Sequence, residues 1–189
     1  MMAVADEFAR IFRTEHREVR DVLLDLLGAV RRGSAERMRP LLERAATVTG
    51  PHFRYEEEAL YPLLEDIYGH AYVEHLFEEH DEAVAASKRL IALAGGESLD
   101  SKQAEEATGL VRRILPHVSD CEGLSIIVEV LPGEAVDSIL AARKRAREAG
   151  LGLIEWADGV RPSPIRAAGR GWVSPGIGAL ETEAGGSTC

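Results

Sequence analysis

Residues 51–62 read Pro51-His52-Phe53-Arg54-Tyr55-Glu56-Glu57-Glu58-Ala59-Leu60-Tyr61-Pro62. Leu41, Ala45 and Val48 lead into this stretch, and Ala59 and Leu63 lead out of it, at the threes and fours of one helical face. Between Val48 and Ala59 that face is held by His52, Tyr55 and Glu56. A stripe that changes from aliphatic to imidazole and carboxylate carries polar groups into a core, where each must find a partner.

Three further stripes do the same. A helix over about Asp6–Arg32 has Phe8, Phe12, Val19, Leu23, Leu26 and Val30 in phase, and His16 fills the gap after Phe12. The segment from about Ser34 to Tyr68 is the second, with Gly50-Pro51 expected to kink or restart it. A third helix follows Gly69 and ends at Gly95-Gly96, with Val73, Leu76, Val84 and Leu90 setting a phase that includes His80. A fourth starts at Asp100 or Ser101, with Gln103 placed for a capping box, and runs to Leu131 through Leu110, Ile114, His117, Cys121, Leu124 and Ile127. Leu131-Pro132-Gly133 stops it, and a fifth amphipathic helix spans about Glu134–Ala149. Short connections make successive helices antiparallel neighbours, so the fold expected is all-α: an up-down-up-down four-helix bundle over 1–132, an added helix over 133–150, and a tail over 151–189. Nine of the 18 glycines and three of the eight prolines fall from Gly150 onward, a segment with no sustained periodicity.

The chain repeats itself. His16 to His80 is a step of 64 and His52 to His117 a step of 65, with Glu15-His16 answering Glu79-His80 and Pro51-His52 answering Pro116-His117. Two hairpins, each with one histidine per helix, give a bundle of approximate two-fold symmetry.

Composition closes off other classes. The 189 residues carry 22 Lys+Arg against 32 Asp+Glu, a net charge of −10, which argues against nucleic acid or an anionic membrane as a partner, since both need a basic face. No stretch approaches the apolar length of a membrane helix, and the N-terminus has no secretory pattern. Two cysteines, Cys121 and Cys189, make no disulfide framework, so a reducing, cytoplasmic setting is expected. No phosphate-binding glycine loop and no Ser-His-Asp order appear. In the run Glu56-Glu57-Glu58 only Glu56 is expected inside, with Glu57 and Glu58 on a solvated face.

Four imidazoles in register and a carboxylate one turn from His52 suit a metal centre in the bundle core. Mixed nitrogen and oxygen donors suit iron and do not suit magnesium or calcium; a structural zinc site needs only four ligands, and more donors suggest a pair of metals. The position one turn after His117 is Cys121. Glu122 comes five residues after it, rotated off the stripe by about 140°, yet it is the residue taken here to supply the second carboxylate, with Cys121 as its small buried neighbour.

These motifs resemble the hemerythrin-like proteins with the His-His-Glu cation-binding domain, of the bacterial and actinobacterial type. The resemblance spans about residues 6–132 and rests on Glu15-His16-Arg17, His52 to Pro62, Glu79-His80-Asp81-Glu82 and His117 to Glu122. It implies a four-helix bundle holding two iron ions, oxo-, hydroxo- or carboxylate-bridged, on His16, His52, Glu56, His80, His117 and Glu122. Leu76 stands where oxygen carriers of the family have a further histidine, which points to O2, peroxide or nitric oxide chemistry rather than transport. Tyr55, Tyr61, Cys121 and His75 are candidates for support of the ligands or for an extra one; Tyr61 lies nine residues after His52, off the stripe of an ideal helix. Three functions follow: a di-iron redox protein, an iron- or oxygen-sensing module without turnover, or a metal-free interaction protein with a decayed site. The fifth helix and the tail, with Trp156 and Trp172, are read as a surface for a second copy, giving a homodimer.

Overall fold

The structure, a computed structural model, describes residues 4–162. Eight α-helices and no strand occur among them: α1 (Val4–Arg31), α2 (Ala35–Tyr55), α3 (Tyr61–Tyr68), α4 (His70–Ala94), α5 (Ser101–Glu122), α6 (Leu124–Ile127), α7 (Gly133–Ala149) and α8 (Leu153–Gly159). A π-helical turn over Glu56–Leu60 joins α2 to α3, and a 3-10 turn over Val128–Val130 follows α6.

The bundle is a closed ring in which α1 packs on α2 and α5, and α4 packs on α5 and α2. Helix ends follow the sequence. The Ser34 side chain accepts from the Arg37 amide to start α2, and Asp100 and Gln103 form the expected capping box at α5. Gly33, Gly69 and Gly150 take the positive φ at which α1, α3 and α7 stop.

The break expected at Gly50-Pro51 is absent: α2 runs through both. Gly50 is required by close approach, because a Cβ there would lie 2.4 Å from the Leu151 carbonyl oxygen and 2.7 Å from the Leu153 nitrogen. The irregularity comes further on, before Pro62, whose nitrogen cannot donate to the carbonyl four residues back. The Tyr61 amide instead bonds the Glu56 carbonyl, closing a wider turn.

The C-terminal region also differs from expectation. Residues 151–162 do not begin a tail. Here α8 lies across α2 and α4 with Leu153 and Trp156 buried, while α7 packs on α1 and α2 through Val136, Ile139, Ala142 and Ala146. The apolar face of α7 and the Trp156 ring are thus covered by the chain's own bundle, while the opposite face of α7 stays exposed. Trp172 and the rest of 163–189 lie outside the described residues.

Two apolar clusters fill the interior. One gathers Val19–Val30, Met38, Ala83–Ala94 and Val111 with Leu153 and Trp156; the other gathers Phe8, Phe12, Leu60, Leu64, Leu76, Leu124 and Ile139. Between them, at mid-bundle, lies a layer of buried polar side chains: His16, His52, Glu56, His80 and His117.

Candidate metal centre

The four stripe histidines do meet. His16 and His52, from the first hairpin, have ring centroids 4.5 Å apart, and His80 and His117, from the second, are 4.9 Å apart. Glu56, fully buried, sits between the pairs. Its Oε1 lies 3.3 Å from His52 Nε2 and its Oε2 lies 3.3 Å from His80 Nε2. Cys121 reaches the same carboxylate, Sγ to Oε1 at 3.3 Å, and His16, Glu56 and Cys121 each offer a ligand atom within 4.8 Å of the other two.

Every histidine is held from behind by Nδ1. His52 donates to Glu15 Oε2 at 2.9 Å, His80 to Glu57 Oε1 at 2.8 Å, His117 to Glu79 Oε2 at 2.9 Å, and His16 to the Phe12 carbonyl at 2.9 Å. With Nδ1 so engaged, Nε2 is the nitrogen of each ring left for a metal, that of His80 also meeting the Tyr61 hydroxyl; such support fixes tautomer and orientation in metal-ligating histidines. The repeat explains two of these links: the glutamate just before the histidine of one helix crosses to the histidine of the next, Glu15 to His52 and Glu79 to His117. Glu15, Glu57 and Glu79 were not singled out as supports from sequence. The signal available was the repeated Glu-His pair itself.

The π turn accounts for the rest of the second motif. One inserted residue brings Glu57 inside next to Glu56, so Glu57 is buried rather than solvated, while Glu58 stays exposed beside Arg54. The same insertion makes Tyr61 count as eight residues after His52 instead of nine, and returns it to the stripe. Its hydroxyl lies 2.9 Å from His80 Nε2 and 3.9 Å from Cys121 Sγ. Tyr55 donates to Glu15 Oε2 at 3.0 Å and braces the His52 support.

Glu122 does not join. Helix α5 stays regular through that position, so nothing rotates it inward; Glu122 is half-buried, makes none of the described hydrogen bonds to the cluster, and leaves the stripe position to Cys121. His75 is exposed, its nearest acidic oxygens being Glu78 and Glu79 of its own helix at 3.8 and 3.7 Å. His70 bonds Glu65 at the surface.

The electrostatics fit a cation. Burial works against charging His52, but Glu56 and then Glu15 outweigh it and hold its pKa at about 10; His80 is raised against burial by Glu56 and Glu57. Burial, reinforced by the charge of His52, lowers His16 to about 4. Burial alone would raise Glu56, yet His52 and His80 keep it well below the carboxylate range. Burial raises the Cys121 thiol and the Tyr61 phenol well above their ordinary values. Within this protonated set Glu56 Oε2 has no aligned hydrogen-bond partner among the described residues. A buried anionic oxygen without a donor, facing imidazole nitrogens, is a place for positive charge.

A helical bundle whose core layer is a set of imidazoles around one carboxylate defines a metal-binding bundle. The family model described as the hemerythrin HHE cation binding domain matches residues 7–124, and the chain belongs to that family. Comparison with curated proteins and with solved structures returned no match. The chain is thus a cation-binding module, and no described helix is long and apolar enough to cross a membrane.

Proposed function

We propose that the bundle holds a pair of non-haem iron ions and binds or reacts with a small oxidant or diatomic: O2, hydrogen peroxide or nitric oxide. One observation carries this reading. The two oxygens of Glu56 divide between two histidine pairs, as a carboxylate shared by two cations would. His16, His52, His80 and His117 would be the nitrogen donors to the iron, Glu56 would supply carboxylate oxygens, and Cys121, rather than Glu122, would supply sulfur at the second-repeat position. Iron bound there supplies redox chemistry and open coordination positions.

The chain's own residues set what reaches such a centre. The apolar clusters above and below exclude bulk water. A cavity of about 40 Å³ lies beside His117, lined by Glu79, Glu82, Ala83, Arg113 and Ile114. It has room for a few water-sized molecules, and so for a diatomic or peroxide. The Tyr61 hydroxyl, 2.9 Å from His80 Nε2, keeps a proton at the edge of the cluster. An enzyme and a sensor share these features, and hydrogen peroxide separates them: the iron-loaded chain consuming many equivalents is an enzyme, and a stoichiometric colour change without turnover marks a sensor. A chain that retains no iron from an iron-supplied expression culture refutes both.

A further inference from the structure

The family-matched segment ends at residue 124, but three arginines from beyond it reach the carboxylates that support the centre. Arg161, just after α8, forks onto Glu57: Nε to Oε2 at 2.9 Å and Nη2 to Oε1 at 2.8 Å. The same Oε1 accepts His80 Nδ1 at 2.8 Å. Arg161 also pairs with Asp81 and lies over the Trp156 ring, 5.3 Å from its centroid, and its side chain is only 6% exposed. Arg143, on α7, donates twice to Glu15 Oε1, Nε at 2.8 Å and Nη2 at 2.5 Å, while Glu15 Oε2 accepts His52 Nδ1. Arg147 adds a longer contact at 3.2 Å.

We propose that Arg143 and Arg161 are positioning residues of the metal centre, each acting through a glutamate to hold one histidine, so that the C-terminal helices are part of the site and not an appendage. This rests on the metal reading given above. The physical need is specific. Glu15 and Glu57 are buried carboxylates; without the arginines Glu57 would keep only the His80 imidazole, and Glu15 only His52 and the Tyr55 hydroxyl on one of its oxygens, which does not compensate a buried anion. Arg161 forks across both oxygens of Glu57, while Glu15 is held from its two ends, Arg143 placing two donors on Oε1 alone and His52 and Tyr55 meeting Oε2, so that the plane of each carboxylate is set. The plane in turn fixes where the Nδ1 proton sits and where Nε2 points. Glu79, which holds His117, makes no ion pair with an arginine among the described residues; its side chain is 21% exposed, so its burial penalty is smaller than that of its buried counterparts.

The test uses the full chain loaded with cobalt(II), which reports ligand arrangement in its visible spectrum. R143Q and R161Q are compared with K88A, which cuts the surface Lys88–Asp158 pair that ties α8 to α4 without touching the cluster. At matched helicity by circular dichroism, each arginine variant is expected to release cobalt to a chelator roughly 10- to 100-fold faster than the parent chain and to shift the visible bands. K88A is expected to stay within about two-fold, with its spectrum unchanged. Should R161Q not reach parental helicity, E57Q reads the same link and is expected to show the same acceleration. Release rates within two-fold for R143Q and R161Q (or for E57Q in place of the latter) overturn the proposal, as does an equal loss in K88A, which would make the contact a docking interaction alone. A parent chain that takes up no cobalt overturns this proposal and the metal reading together; loading of the parent with silent arginine variants overturns this proposal only.

Discussion

Gly50→Ala sets local propensity against packing, and the two disagree in sign. Gly50 lies inside α2, where glycine is poorer than alanine by about 1 kcal/mol, so propensity alone makes the substitution stabilising. The structure opposes this. The new Cβ would stand 2.4 Å from Leu151 O, 2.6 Å from Gly152 C and 2.7 Å from Leu153 N, all of them backbone that no rotamer change can move. Either α2 and the α7–α8 connection separate, or α8 gives up its seat, with Leu153 and Trp156 leaving the core they now fill. Overpacking of this kind costs about 1–3 kcal/mol, and more when a backbone segment must shift. Partial loss of the burial of a leucine and a tryptophan adds about 2 kcal/mol. Against the propensity gain, the net is a destabilisation of about 2–4 kcal/mol, or a fall of about 4–16 °C in Tm for a chain of this size. Thermal and urea unfolding measure it, and Trp156 fluorescence reports whether α8 has lifted. A Tm that holds or rises, with unchanged fluorescence, refutes the argument that close backbone approach dictates the glycine.

Other expectations follow from single contacts. Asp100→Ala removes half of the α5 capping box and is expected to cost about 1 kcal/mol in urea unfolding; no change would mean the box is idle. Cys121→Ser is expected to abolish a near-ultraviolet sulfur-to-metal band in the cobalt-loaded chain, while Glu122→Gln leaves metal content and spectrum as they were; the reverse pattern would restore Glu122 to the site. Loading should release protons. His52, held at about 10 by Glu56 and Glu15, carries a proton that its Nε2 must lose to ligate. Since the metal-free chain binds more protons than the loaded one, metal affinity falls as pH falls below about 10, through neutrality and beyond. Titration calorimetry in buffers of different ionisation enthalpy checks the sign, and proton uptake on loading would contradict it.

The sequence was most legible where periodicity stayed regular. The stripes of α1, α4 and α5 placed His16, His80 and His117 at one level, and the repeat tied His52 to them. What it concealed came from departures from the 3.6-residue period. The π turn at Glu56–Leu60 brought in Glu57 and Tyr61, and a phase count that assumes α-helix throughout assigns both to the wrong face. The same count, applied where α5 is regular, does place Cys121 inward and Glu122 off the stripe; the preference for Glu122 came from the expected chemistry of the site and not from the geometry. Arg161 carries no local signal at all. It stands beside Pro162 in a Gly- and Pro-rich stretch, and only the burial of Leu153 and Trp156 against α2 brings it to Glu57.

The central claim is that the buried imidazoles converge on Glu56 to hold metal. Iron content of the full chain after expression with iron, measured beside His52→Ala and Glu56→Ala, tests it most directly. About two iron atoms per chain are expected in the parent, with severe loss in both variants. A parent without iron, or variants that keep it in full, would contradict the account.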